Sequence, residues 1–280
     1  MTTIGVLHPG RMGAAVGRQL ASRGHRVLWD PAGRSPATAE RARDAGLERS
    51  ADLATACDVI ISLCPPASAE QVAEGVAGFE GVFVEANAIS PARVRRIADR
   101  ADRVVDGCVI GPPPPDAGGT RLYLSGAARE VETAAALFDG TAVDAVAIEG
   151  GVGQASALKM AFGSYNKTMG ALAAVSHALA QTYGVGGHLL TEARRITGHH
   201  LADPGRLPSV AARAWRWAPE MDEVAATLQD AGLPAELADA AAAVFRRWEE
   251  DQDDFGLALP DALAHLRTTG LGDAGQGQGR

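Results

Sequence analysis

A basic excess is what this 280-residue chain lacks first: 26 Lys and Arg stand against 34 Asp and Glu, a formal net charge of -8. A surface built to hold nucleic acid carries the opposite balance, so that partner is set aside. Long apolar runs are also missing. None approaches the roughly 20 residues that a membrane helix needs. No basic start precedes an apolar stretch at Met1 to Leu7, so neither a membrane partner nor a secretory leader is expected. Cysteine is limited to Cys57, Cys64 and Cys108. An odd number at irregular spacing makes neither a disulfide framework nor a metal set. The expectation is a cytoplasmic chain whose thiols sit reduced in the core. Lysine is scarcer still: Lys159 and Lys167 are the only two. What remains, 46% hydrophobic and 21% charged residues, is enough to bury a sizeable core.

The first half alternates two periodicities. Apolar runs of four or five residues at Ile4 to Leu7, Arg26 to Trp29, Val59 to Leu63 and Val82 to Glu85 are each followed by a helical segment. That rhythm predicts an α/β domain with a parallel sheet and helices on both faces. Further strands are expected at Arg103 to Ile110, Arg121 to Ser125 and Ala142 to Ile148. Gly111 to Thr120 is too rich in proline and glycine for either element. After Gly153 strand patterns nearly vanish. A long helix is expected from Gln154 to Thr182, then shorter ones at His188 to Thr197, Ser209 to Trp217, Met221 to Ala231, Ala235 to Trp248 and Pro260 to Arg267. The expected division is a doubly wound domain over 1-150, an all-α domain over 151-269 and a polar, glycine-rich tail over 270-280.

The first chemistry lies in HPGRMG, His8 to Gly13, between strand and helix. Dinucleotide loops place glycines at three positions, for the turn, for the approach of the pyrophosphate and for helix–strand packing. Here those positions are His8, Gly10 and Gly13, with Pro9, Arg11 and Met12 completing the loop. A helix N-terminus at that point offers free N–H groups to phosphate. After the second strand both selectors are present: Asp30, which suits the ribose 2′-hydroxyl of NAD, and Arg34-Ser35, which suits the 2′-phosphate of NADP. Asp30 can instead cap the following turn, so NADP is the expected cofactor and NAD the alternative.

With GVLHPGRMGAAV on the page, the chain resembles the 3-hydroxyisobutyrate and 6-phosphogluconate dehydrogenase superfamily, whose loop reads GxxGLGxMGxxxA. Leu63-Cys64-Pro65 stands where that family has a strand end beside the nicotinamide ribose. VEANAISP, Val84 to Pro91, replaces its acidic-x-Ser-Thr stretch and puts Asn87 near the cofactor. DGCVIGPPPP, from Asp106, lies at its substrate loop DAPVSGG, which implies substrate contact for Gly111 and Pro112; Ile110 replaces the serine. GQASALKMAFGSYNK, Gly153 to Lys167, resembles the motif GxGxxxKxxxN. Lys159 falls on the catalytic lysine, Ala155 on the second glycine and Gly163 on the asparagine. The form ASALKM, and RAWRWAPEMDEVAATL from Arg213, resemble a subgroup whose C-terminal domain has no assigned function. Imine reductases are more distant relatives of the same architecture.

A lysine beside the hydride site would give or take the proton of a carbonyl–hydroxyl exchange, and burial would bring its pKa toward a useful range. It can equally reach from a core helix to solvent. Asn166, two turns from Lys159, is a candidate to replace the missing asparagine, although Gly163 and Gly170 also suit close helix packing. Tyr165 is a candidate substrate contact off the Lys159 face. Trp215, Trp217 and Glu220 are candidates for the pocket wall, and two tryptophans spaced by two cannot share one helix face. His199-His200 has no partner set for a metal nearby. The expected activity is hydride transfer between NADP(H) and a small carbonyl or hydroxy acid. An imine reductase and a non-catalytic NADP-binding sensor are the alternatives. The resemblance implies a homodimer through the helical domains.

Overall fold

The structure is a computed structural model, and it describes residues 1–114, 119–196 and 202–267. The expected tail over 270-280 and the histidine pair His199-His200 lie outside the described residues. Contacts divide the chain into two compact units, Met1–Phe162 with Ala226–Leu233, and Gly163–Ala225 with Pro234–Arg280.

The first unit is built on an eight-stranded sheet. Its strands are β1 (Thr3–Val6), β2 (Arg26–Trp29), β3 (Glu48–Arg49), β4 (Val59–Ser62), β5 (Val82–Glu85), β6 (Val104–Ile110), β7 (Thr120–Gly126) and β8 (Val143–Ala147). Their order is β3-β2-β1-β4-β5-β6-β7-β8. β1 sits between β2 and β4, so the winding reverses direction there and opens a crevice at the carboxyl ends of the strands. The alternation of side chains sorts the core into two faces. Ile4, Val6, Val59, Ile61, Val82 and Val84 belong to one cluster. Leu28, Ile60 and Phe83, one residue out of step, belong to the other. Burying each such side chain stabilises the sheet by roughly 1.5–3 kcal/mol.

Helices α1 (Arg11–Ser22), α2 (Pro36–Asp44), α3 (Leu53–Ala56), α4 (Ala69–Glu74), α5 (Pro91–Ala98) and α6 (Ala128–Ala136) make the connections. All pairings are parallel except β6–β7, which is antiparallel. The reason is local. Only nine residues separate Ile110 from Thr120, fewer than the dozen or more that a parallel crossover needs, so the chain returns alongside β6.

The remaining helices are α7 (Gln154–Thr182), α8 (Gly186–Ile196), α9 (Leu207–Asp230), α10 (Glu236–Arg246) and α11 (Leu259–His265). Within the second unit, Trp248 is fully buried and its indole N–H donates to the Ala262 carbonyl at 2.7 Å. One expectation fails here. Two helices are expected either side of Pro219, yet α9 runs through it unbroken. Proline removes one ladder hydrogen bond and costs about 3 kcal/mol in a helix interior. The apolar stripe of Leu207, Val210, Ala211, Ala214, Ala218, Met221 and Val224 continues across it, all buried, and that burial outweighs the local loss. The two-residue strand β3 and the four-residue helix α3 are additions that no periodicity announces.

Candidate active site

α1 starts where the phosphate loop requires. Its N-cap is Gly10, with no side-chain cap and no acidic residue in the first turn, so its first N–H groups and the positive end of the helix stay open to an anion. Gly13 is obligatory for packing: a Cβ there would lie 2.2 Å from the His8 carbonyl oxygen. The loop is therefore stacked directly on the helix, as the third glycine of a dinucleotide fingerprint demands.

Beside it, Arg34 turns back over the end of β1. Its Nη2 donates to the Leu7 carbonyl at 2.9 Å, and Nη1 lies 3.1 Å from Nδ1 of His8. Asp30 Oδ1 accepts the Ala32 N–H at 2.8 Å, so it closes the turn after β2. Ser35 caps α2 and touches Thr38, whose hydroxyl accepts from Arg41 at 3.1 Å. Arg41 was not foreseen from the sequence; only its i+3 spacing from Thr38 hints at it. Among the described residues neither Arg34 nor Arg41 pairs with a carboxylate, and the Nε of each is buried without a partner. Half-buried arginines left unpaired fit an anion that is not part of the chain.

On the other side of the crevice a polar network ties β4 to β5. Asn87 is almost fully buried; its Oδ1 accepts the Cys64 N–H, its Nδ2 donates to Ser62 Oγ at 2.8 Å, and its N–H donates to Glu85 Oε1 at 3.0 Å. Both ends of the Asn87 amide are thus used within the protein, and it shapes the strand ends that carry Cys64 and the exposed Pro65. Glu85 is 1% exposed with Oε2 unpartnered. Burial pushes its carboxyl up to about 8, and the Asp106 charge adds to the shift. The folded chain therefore keeps a proton that the unfolded chain releases above the ordinary carboxylate range. Stability must fall as pH rises from about 4.5 to about 8. Glu85→Gln is expected to flatten that decline. Thermal melts at pH 5 and 8.5 should separate parent and variant by roughly 5 °C more at the higher pH; parallel curves would mean that Glu85 carries no such proton.

Asp106 performs the task that positions the lysine. This carboxylate, fully buried at the middle of β6, accepts the backbone N–H groups of Gly153 and Ser156, each at 2.9 Å, and the Ser156 hydroxyl at 2.7 Å. Ser125 of β7 donates to it at 3.2 Å and in turn accepts the Ala155 N–H at 3.0 Å. The first turn of α7 is therefore capped by two neighbouring strands. Gly153 adopts a φ of 112°, and Ala155, where the family motif has glycine, is fully buried. One turn on, the Lys159 ammonium donates to the Val109 carbonyl at 2.7 Å, at the carboxyl end of β6. Burial pushes the neighbouring Cys108 thiol up to about 12, and Cys57 and Cys64 up to about 11. Inert core thiols follow.

Gly111 turns the chain at the end of β6 with a φ of 123°; a Cβ there would meet the Gly119 carbonyl at 2.5 Å. Pro112 accepts the Thr120 hydroxyl. Asn166, Tyr165 and Trp217 fall in the second unit. Asn166 is half-buried and Tyr165 is 61% exposed. Trp217 is half-buried and packs edge-on against buried Phe245, centroids 5.7 Å apart. Trp215 keeps a buried indole N–H without a partner. Glu220 forms an ion pair with Lys167. The described residues contain no cluster fit for a metal ion and no helix long and apolar enough to cross a membrane.

Residues 180–248 match the model of a domain of unknown function, DUF1932. No curated protein is significantly similar to the chain. Among solved structures, MTH1747, a conserved protein of unknown function with structural similarity to 3-hydroxyacid dehydrogenases, is 26% identical with a TM-score of 0.66, over 91% of this chain and 100% of that one. Mycobacterium tuberculosis 3-hydroxyisobutyrate dehydrogenase, solved with L-serine, is 21% identical with a TM-score of 0.74, over 96% and 100%. A reductive aminase from Aspergillus terreus, solved with NADPH and ethyl levulinate, is 18% identical with a TM-score of 0.55, over 95% and 100%. The chain has the fold of the hydroxyacid dehydrogenases, and the DUF1932 match agrees with the subgroup that ASALKM resembles.

Proposed function

We propose that the chain is an NADP-preferring oxidoreductase acting on a small carbonyl or hydroxy acid. The observation that carries this reading is Lys159, whose ammonium is held at the carboxyl end of β6, on the sheet edge that also carries the uncapped start of α1. The loop with its obligatory Gly13 and the unpaired Arg34 and Arg41 fit a dinucleotide bearing a 2′-phosphate. A bound nicotinamide supplies or takes up hydride. The chain's own part is to hold the dinucleotide at the glycine loop and to exchange a proton at Lys159 Nζ. NADPH and NADH should be titrated first, then oxidised against a panel of carbonyls, with the reverse reaction on hydroxy acids. Tighter binding of NADPH and turnover with at least one carbonyl are expected. A chain that binds the dinucleotide and turns over no substrate would be a sensor, and a chain that binds neither cofactor would overturn the reading.

An imine substrate is the second reading. It is favoured by Ile110 and Gly163, which leave the family's serine and asparagine positions without a polar group for a carboxylate. Adding cyclic imines to the panel separates the two.

The second unit supports a homodimer. Leu172, Val175 and Leu179 are 56%, 47% and 60% exposed, and with Tyr165 they recur along α7 at three-, four- and seven-residue intervals; Tyr183, 74% exposed, follows just past its end. That is the seam of a helix that packs against another, and a second copy offers the same seam in return. Light scattering at micromolar concentration should give twice the chain mass, and Leu172→Glu with Leu179→Glu should halve it. A parent monomer would remove the proposal.

A further inference from the structure

His8 stands where the dinucleotide loops that this one resembles have glycine, and it has acquired a partner 26 residues away. A guanidinium only donates hydrogen bonds and stays protonated. At 3.1 Å from Arg34 Nη1, Nδ1 of His8 must therefore accept. A ring that accepts at Nδ1 carries its single proton on Nε2. The surroundings enforce the neutral form: burial, then the charges of Arg34 and Arg41, hold the imidazole below its ordinary pKa. With the Leu7 carbonyl accepting from Nη2 at 2.9 Å, two acceptors at the end of β1 grip the guanidinium by both of its Nη atoms. The opposite edge of the ring lies on the loop. A Cβ on Gly10 would come within 3.2 Å of Cδ2 and 3.3 Å of Nε2. One side chain thus links the pyrophosphate loop to the arginine after β2.

We propose that His8 determines cofactor choice by holding Arg34 ready for a 2′-phosphate. This rests on the dinucleotide reading of the same crevice. A free arginine must lose its rotamer freedom when the phosphate arrives; one already gripped has lost it on folding. The glycine-to-histidine exchange in the loop therefore acts on a phosphate that the loop itself does not touch.

Isosteric variants test the claim without any turnover. The side-chain oxygen of asparagine falls near the place of Nδ1, whereas the amide of glutamine falls near Nε2. His8→Asn should keep the grip on Arg34, and His8→Gln and His8→Gly should release it. Calorimetric titration of 2′,5′-ADP and 5′-AMP gives the preference for the 2′-phosphate directly. Arg34→Ala is expected to narrow that preference by about tenfold or more. His8→Gln and His8→Gly should reduce it by about tenfold, the worth of one charge-assisted hydrogen bond; the ratio of the two affinities cancels any effect of the substitution on the loop that both nucleotides share. His8→Asn should stay within a few-fold of the parent. An undiminished preference in His8→Gly, or a His8→Asn that behaves like His8→Gly, overturns the assignment of His8 alone. A parent chain that binds neither nucleotide overturns the dinucleotide reading and this assignment together.

Discussion

Lys159→Ala is expected to lower turnover by about 10²–10⁴-fold, the usual worth of a general acid or base, and to leave NADPH affinity within a few-fold of the parent. The side chain donates a hydrogen bond to the Val109 carbonyl at the carboxyl end of β6. Its loss removes a proton carrier from the sheet edge without touching the phosphate loop. Lys159→Arg should fail as badly, since guanidinium gives up no proton near neutral pH. The contrast is Lys167→Ala, eight residues along the same helix. It should be read with a thermal melt, because Lys167 forms an ion pair with the half-buried Glu220 and removing it takes that opposite charge away. Near-parental turnover of Lys159→Ala on the best substrate would make the lysine structural.

The second large effect is expected on stability. Asp106→Ala leaves two backbone N–H groups, of Gly153 and Ser156, and two hydroxyls, of Ser156 and Ser125, without their acceptor in the interior. An unsatisfied buried donor costs about 1–3 kcal/mol, and the four are not additive. A loss of roughly 3 kcal/mol is a reasonable floor, which lowers Tm by about 6 °C in a chain of this size. Turnover should fall with it, because the first turn of α7 fixes the start of the helix one turn before Lys159. Asp106→Asn keeps one accepting oxygen and should recover part of both. An Asp106→Ala chain that melts with the parent would show that the cap contributes nothing.

Most of the sheet was legible because it rests on local repetition. Short apolar runs mark β1, β2, β4 and β5, and Gly or Pro closes the segments between them. Elements without a period of their own were not legible. β3 has two residues, both exposed, and pairs only because β2 passes alongside. Pro219 reads locally as a break, and only the packed stripe on either side shows why the helix continues. The site divides in the same way. The glycine loop and Lys159 are visible as motifs. The contacts that orient them span 26 residues from His8 to Arg34 and 50 from Asp106 to Ser156, and no spacing rule connects such positions. Asp106 lay inside a stretch already singled out for its resemblance to a substrate loop, yet its carboxylate turns toward a helix.

The antiparallel return of β7 along β6 has a consequence for how this chain can change. Asp106, Val109 and Ser125, which help to place Lys159, lie on these two strands. Within the stretch between Ile110 and Thr120, Gly111 is held to glycine by its φ of 123° and its approach to the Gly119 carbonyl, whereas a changed side chain at Pro112 leaves the groups that place Lys159 where they are. Under the proposed function, substrate preference would then be heritable apart from the proton chemistry, and the lysine would stay where it was.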